Sequence, residues 1–205
     1  SIFTLIILTS LLFFKISLNR DELIMCIITS ILVLFLIIYD NEYRPDAGLY
    51  HLPFTQILNE SNIIIGLTNI HSRFGHTSIV QYLAAANYNF FNGINGILIP
   101  LASSISFILL YFLIDLRKIV SNKFKELSIG NFFSLIATIY IIYKINRYSE
   151  FGNDATAHIF LFYIISKFLY VKDYTVKNIN FFYYCSIFCF LNKVFLIFVF
   201  LIPVS

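Results

Sequence analysis

Between Leu23 and Tyr39 the chain reads LIMCIITSILVLFLIIY, without one charged side chain. Similar apolar runs cover about Ile2–Leu18, Ile97–Ile114, Ile129–Ile145, Ala155–Val171 and Ile179–Leu201. Runs near the ~20 residues that cross a ~30 Å hydrocarbon core as a helix satisfy their backbone polar groups internally. A membrane barrel would instead show ~10-residue segments alternating apolar with polar, and these runs do not alternate. Composition agrees: 59% of residues are hydrophobic and only 12% charged, against roughly 25% charged in a soluble domain. The mean hydropathy is +0.83. The chain therefore reads as all-α, a polytopic transmembrane helix bundle of about six spans. Residues 1–205 form a single transmembrane domain, and residues 40–92 an extracytoplasmic loop region with interfacial helices. Ser1 opens directly on apolar sequence and the first charge is Lys15. A secretory signal would begin with a charged segment, so the chain is expected to be a fragment of a larger membrane protein.

Basic residues set the expected orientation. In the six-span arrangement Lys15, Arg20, Arg117, Lys118, Lys123, Lys125, Lys167, Lys172 and Lys177 fall on one side, and Arg44, Arg73, Lys144 and Arg147 on the other. The positive-inside rule places the first group in the cytoplasm. The net charge of +3 is what such topology signals produce, so no nucleic-acid partner is implied. Cys26, Cys185 and Cys189 all sit inside apolar runs, where small buried side chains are the plain reading and a disulfide framework or zinc site is not.

That orientation sends two polar segments outward. The larger, Tyr39–Ser78, carries His51, His71 and His76, Arg44 and Arg73, and Asp40, Glu42, Asp46 and Glu60. It is followed by an amphipathic or interfacial helix over about Ile79–Phe91, with Thr77 or Ser78 as its cap. The smaller segment, Asn146–Thr156, carries Arg147, Glu150 and Asp154, with His158 just beyond. Asp46 stands between Pro45 and Gly48, a pattern that reads as a turn. A partly desolvated carboxylate there is a candidate general base; a helix-capping aspartate is the plainer alternative. His51, five residues on, could orient it or share a divalent metal ion with it, although no further ligand set supports a metal. Arg73 precedes an expected helix N-terminus, a natural anion pocket, and is the first candidate for holding phosphate; pairing with lipid headgroups is its alternative. Asp154 reads first as the cap of the fifth span. Lys193, with Asn192, falls within the last span, where a charge is costly and a functional candidate by default.

Asp46-Ala47-Gly48-Leu49-Tyr50-His51, then Gly66-Leu67-Thr68-Asn69-Ile70-His71-Ser72-Arg73-Phe74-Gly75, resemble bacterial multi-spanning glycosyltransferases of the GT-C type. Arg147-Tyr148-Ser149-Glu150-Phe151-Gly152-Asn153-Asp154 is similar to a second polar segment of those proteins, so the likeness spans about Asp40–His158. It implies a polyprenyl-phosphate sugar as donor, a glycan or lipid acceptor, membrane lipid as surroundings, and action at the outer face of the bacterial inner membrane. By position, Asp46 matches the base and His51 its catalytic neighbour. Arg73, Arg147 and Arg44 match the phosphate-binding group, with His71, Asn69, Glu150, Asp154 and His158 in support. The chain is smaller than such enzymes and lacks their further spans and outer loops. Two other functions fit the same composition: a transporter or export component with Lys193, Asp154 and His158 along a polar path, and a structural membrane protein without catalysis.

Overall fold

The computed structural model describes residues 19–39, 45–61, 64–75, 78–89, 93–122, 127–148, 151–171 and 175–204. The expected first span, about Ile2–Leu18, lies outside them. Every element among the described residues is helical, so the all-α expectation holds. Helix α1 is Arg20–Tyr39, and the polar stretch that follows leads through α2 (Leu52–Glu60) to α3 (Ile79–Tyr88). A short α4 (Ile94–Ile97) leads into α5 (Ile99–Ser121), followed by α6 (Ile129–Tyr148), α7 (Asp154–Tyr170) and α8 (Val176–Asn192). Gly93, at φ 67°, makes the left-handed turn before α4. Pro100 occupies the first turn of α5, where a missing N–H has no cost.

The core forms where α5 meets α1, α6 and α7. Leu101, Ile105, Ile108 and Phe112 recur at helical spacing along α5, and each is buried. They meet Val33 and Ile37 of α1, Ala137 and Ile141 of α6, and Ala155 and Ile159 of α7 in one cluster. Large apolar side chains also cover the outside of the bundle, while several hydroxyls lie in its seams. Phe35, Ile136 and Tyr143 are 62%, 65% and 73% exposed, whereas Ser134, Thr156, Ser166 and Ser186 are completely buried. Hydroxyls in the seams turn inward: Ser106 and Thr138 donate to the carbonyls of Ala102 and Ser134 on their own helices. Among the described residues two helical stretches, Arg20–Tyr39 and Ile94–Ser121, are long and apolar enough to cross a membrane, and Ile129–Ile145 is a shorter apolar helix.

Polar contacts collect at the two ends of the bundle. At one, Arg117 of α5 pairs with Asp21 at the start of α1 (2.6 Å). Beside it the Tyr170 hydroxyl donates to Asp115 and accepts from Asn131 Nδ2, both at 2.6 Å. These contacts join the end of α5, the start of α6 and the end of α7. At the other end lie Asp154, Asn192, Lys193, Ser78, Gln81 and His51.

Two local expectations change. The last apolar run is not one span over Ile179–Leu201. Helix α8 stops at Asn192, Lys193 is extended (φ −152°, ψ 107°), and Val194–Val204 forms 3-10 turns that fold back along α8. Ser186 Oγ donates to the Val199 carbonyl (3.2 Å), and Phe190 and Phe200 face each other at 6.2 Å. No glycine or proline marks the break; tertiary bonds to Asn192 and Lys193 make it. The second change is at Pro45–Gly48, read above as a turn. Asp46 is helical (φ −63°, ψ −31°), Ala47–His51 is a wide π-turn, and the chain enters α2 without interruption. Proline fits the first turn of a helix, so its presence does not separate turn from helix start.

Candidate functional site

Helix α3 connects the site. Its cap is Ser78, whose Oγ accepts the Val80 N–H at 3.2 Å and donates to Asn192 Oδ1 at 2.8 Å. Asn192 Oδ1 also accepts the Val80 N–H (3.3 Å), while the Asn192 carbonyl accepts from Asn153 Nδ2 (2.8 Å). One turn along α3, Gln81 Nε2 reaches His51 Nδ1 at 3.2 Å. Ser78 and Gln81 are three residues apart, hence neighbours on one helix face. The outer segment and the C-terminal hairpin are thus fastened to adjacent positions of one short helix.

The junction removes an expected feature. The N-terminus of α3 is not an open anion pocket, because its Val80 N–H faces Ser78 and Asn192, and both side chains are buried. Arg73 lies elsewhere, exposed on a 3-10 turn (Ser72–Gly75), with its guanidinium carbon 5.6 Å from the centre of the Tyr50 ring. His71 stacks on Tyr50 (5.9 Å) and tilts against Phe74 (5.4 Å), and its Nδ1 accepts the Arg73 N–H at 3.2 Å. Phe74 is buried against Phe54 of α2, which anchors the turn. Asn69 is exposed at the end of the preceding 3-10 turn, Leu67–Asn69.

Asp46 is exposed one helical turn before Tyr50. Burial, then the nearby Asp46 carboxylate, hold the phenol above its usual range, and Arg73 opposes them. The ring of His51 lies 4.2 Å from that of Tyr50. Its imidazole is held below the ordinary histidine range, chiefly by burial; Asp154 and Asp46 oppose the shift, while Arg73 and Lys193 add to it. His51 therefore feels charges from both polar segments.

Asp154 does not cap α7. The cap position is Asn153, without a side-chain capping bond, and Asp154 Oδ1 instead sits 2.5 Å from Lys193 Nζ. Lys193 was expected inside a span; the break in α8 puts it at the bundle end. His158 is four residues beyond Asp154 on the same face of α7, half-buried. Arg147 lies in the last turn of α6, and its side chain, like Arg44, His76 and Glu150, lies outside the described residues. Among the described residues no three His, Cys, Asp or Glu side chains stand where they could hold a metal ion.

Four participants escaped the sequence reading: Tyr50, Ser78 as partner to Asn192, Gln81, and Lys193 as partner to Asp154. Gln81 carried a usable signal, as the lone glutamine amid apolar residues at the start of α3. Ser78–Asn192 and Lys193–Asp154 are long-range pairings with no local signature.

The chain belongs to the family described as a domain of unknown function, DUF8201, whose model matches residues 2–205. No curated protein and no solved structure matches it.

Proposed function

We propose that this protein is a bacterial inner-membrane glycosyltransferase of the GT-C type. In this reading it moves a sugar from a polyprenyl-phosphate donor to a cell-envelope acceptor at the extracytoplasmic face. The observation that carries it is convergence: Asp46, His51, Arg73, Asp154 and Lys193 gather at one end of an apolar bundle, with Asp46 and Arg73 exposed.

The membrane setting rests on the large apolar side chains exposed around the outside of an already apolar core. On α1 alone Ile24, Ile28, Ile31, Leu32 and Phe35 face outward, between 44% and 62% exposed. Removing each such side chain from water is worth about 1.5–3 kcal/mol. A soluble fold would bury them, whereas lipid accommodates them, and helices that pack in lipid tolerate hydroxyls such as Ser134, Ser166 and Ser186 in their seams. A multi-pass bundle of about six spans accommodates this pattern, with the Asp21–Arg117 and Asp115–Tyr170 end in the cytoplasm.

Within that reading Asp46 is the base. Its carboxylate takes the proton of the acceptor hydroxyl as the acceptor oxygen attacks the anomeric carbon. The bond from that carbon to the phosphate oxygen breaks, and polyprenyl phosphate leaves with the electron pair. Arg73 offsets the charge gathered on the phosphate, with Arg44 and Arg147 assigned to the same role by resemblance. Tyr50, placed between Asp46 and Arg73, keeps acid and cation apart. The transporter reading drew on Lys193 as a charge deep in a span, and its place at the bundle end, paired with Asp154, does not favour it.

The test is transfer from a polyprenyl-phosphate sugar by protein purified in detergent, with native mass spectrometry for co-purified polyprenyl phosphate. Asp46→Asn should keep the fold and lose transfer by roughly 10²-fold or more, as expected for loss of a general base. Full activity in that variant would remove Asp46 from the mechanism, and absence of any polyprenyl-phosphate binding would remove the class.

A further inference from the structure

His51 is held from behind. Gln81 is only 5% exposed, yet reaches across from α3 with its Nε2 3.2 Å from His51 Nδ1. With the amide nitrogen turned toward the ring, it donates and Nδ1 accepts, and a neutral imidazole that accepts at Nδ1 carries its proton on Nε2. The backbone of His51 is fixed as well, because its carbonyl accepts the Thr55 hydroxyl at 2.8 Å. The other end of the glutamine amide is informative too. Gln81 Oε1 is buried without a protein partner, and Gln81 borders a void of about 10 Å³ lined also by Ala84, Leu98, Leu101 and Phe151.

We propose that Gln81 is a positioning residue that fixes His51 as the Nε2–H tautomer, making it a neutral hydrogen-bond donor to a substrate oxygen rather than a base or metal ligand. Burial, which disfavours the imidazolium, acts in the same direction. The nature of that oxygen, a donor phosphate or sugar hydroxyl, rests on the proposed glycosyltransferase reading; the tautomer does not. The assignment changes the part expected for His51, since a ring whose Nδ1 already accepts from Gln81 and whose Nε2 carries the proton has no lone pair left for a carboxylic acid or a cation.

The experiment is ¹⁵N NMR of the whole protein in lipid nanodiscs with labelled histidine, the His51 signals being those lost in His51→Gln. At pH 7.5 the wild type should show a protonated Nε2 and an unprotonated Nδ1. Gln81→Leu should give a mixture of both tautomers, and Gln81→Glu, an acceptor only, should move the proton to Nδ1. A wild-type ring protonated at Nδ1, or a tautomer indifferent to Gln81→Leu and Gln81→Glu, would overturn the proposal. The wild-type spectrum decides even where a variant does not fold. In the transfer assay Gln81→Leu should lower kcat/KM about tenfold and Gln81→Asn by less. Failure of all sugar transfer would remove the glycosyltransferase reading and leave the tautomer result standing.

Discussion

Ser78 and Asn192, 114 residues apart, share a buried hydrogen bond of 2.8 Å. Each is 1% exposed, and Asn192 Oδ1 also meets the Val80 N–H. The bond closes the outer segment onto the C-terminal hairpin, so its loss should register in stability. Asn192→Leu would strand the Ser78 hydroxyl and remove the Oδ1 acceptor of the Val80 N–H, while the main-chain bond to Asn153 remains. The expected cost is about 1–3 kcal/mol for a buried polar group deprived of its partner. Ser78→Ala should cost about 1 kcal/mol, the usual worth of such a cap. Because both changes remove the same contact, the double variant should fall short of their sum by about 0.5 kcal/mol or more. Denaturant unfolding in detergent measures this, and strict additivity would show that the two side chains do not act together.

The Lys193–Asp154 pair should matter less to stability than its 2.5 Å separation suggests. The two side chains are 30% and 49% exposed, so water and salt screen them, and a pair in that setting contributes roughly 0–1 kcal/mol. A double-mutant cycle with Lys193→Met and Asp154→Asn should return a coupling of that size, shrinking between 50 mM and 500 mM salt. A coupling several-fold larger and insensitive to salt would mean that the pair is shut away from solvent.

At the opposite end of the bundle, Gly130 is required by the ring that passes over it. A Cβ there would lie 2.8 Å from Tyr170 Cζ and 2.9 Å from Cε1. The ring cannot retreat freely, since its hydroxyl is bonded to both Asp115 and Asn131. Gly130→Ala should therefore destabilise by about 1–3 kcal/mol through overpacking, seen as a fall in Tm of several degrees. In a Tyr170→Leu background the same substitution should cost much less. Equal cost in both backgrounds would place the strain somewhere other than this contact.

Helices were legible where apolar residues run on for the length of a helix, as from Ile97 to Ile114, because such a run has to satisfy its backbone polar groups internally. Helix ends marked by Pro100 and Ser78 were also readable, since each residue has a local effect on the backbone. What could not be read were features set by partners distant in sequence. Val194–Val204 is apolar throughout and continues the pattern of α8, yet turns back because Asn192 and Lys193 are held by Ser78, Asn153 and Asp154. Asp154 reads as a cap from the sequence, but it is the first residue inside the helix and its carboxylate faces Lys193. At Pro45–Gly48 the ambiguity is intrinsic, because proline opens turns and helices alike.

His51 should leave a mark on the pH dependence of stability. Its folded value lies below the ordinary 6.5, chiefly through burial. As the pH falls through about 6.5, the unfolded chain takes up the proton before the folded one, and stability declines; below the folded value the decline stops. The contribution is thus fully present above about pH 6.5 and is lost toward acid. The difference in Tm between pH 7.5 and pH 5 should be smaller in His51→Gln than in the wild type. An unchanged difference would show that His51 titrates alike in the folded and unfolded chain.

The arrangement of the ends across a bilayer is open to direct chemistry. Gly48 is exposed on the π-turn beside Asp46, and a side chain added there meets nothing within 4 Å. Asn122 is exposed at the far end of α5, beyond the Asp21–Arg117 pair. In a background with Cys26, Cys185 and Cys189 replaced by alanine, Gly48→Cys in intact cells should react with a membrane-impermeant thiol reagent added outside. Asn122→Cys should react only after the cells are opened. The reasoning is that α5, 23 residues long, rises about 1.5 Å per residue and so exceeds the ~30 Å hydrocarbon core. Labelling of both positions from outside would put the two polar ends on one side of the membrane. The bundle would then lie along the membrane or outside it, and Asp46 would no longer be set apart from the cytoplasm as a lipid-linked sugar donor at the outer face requires.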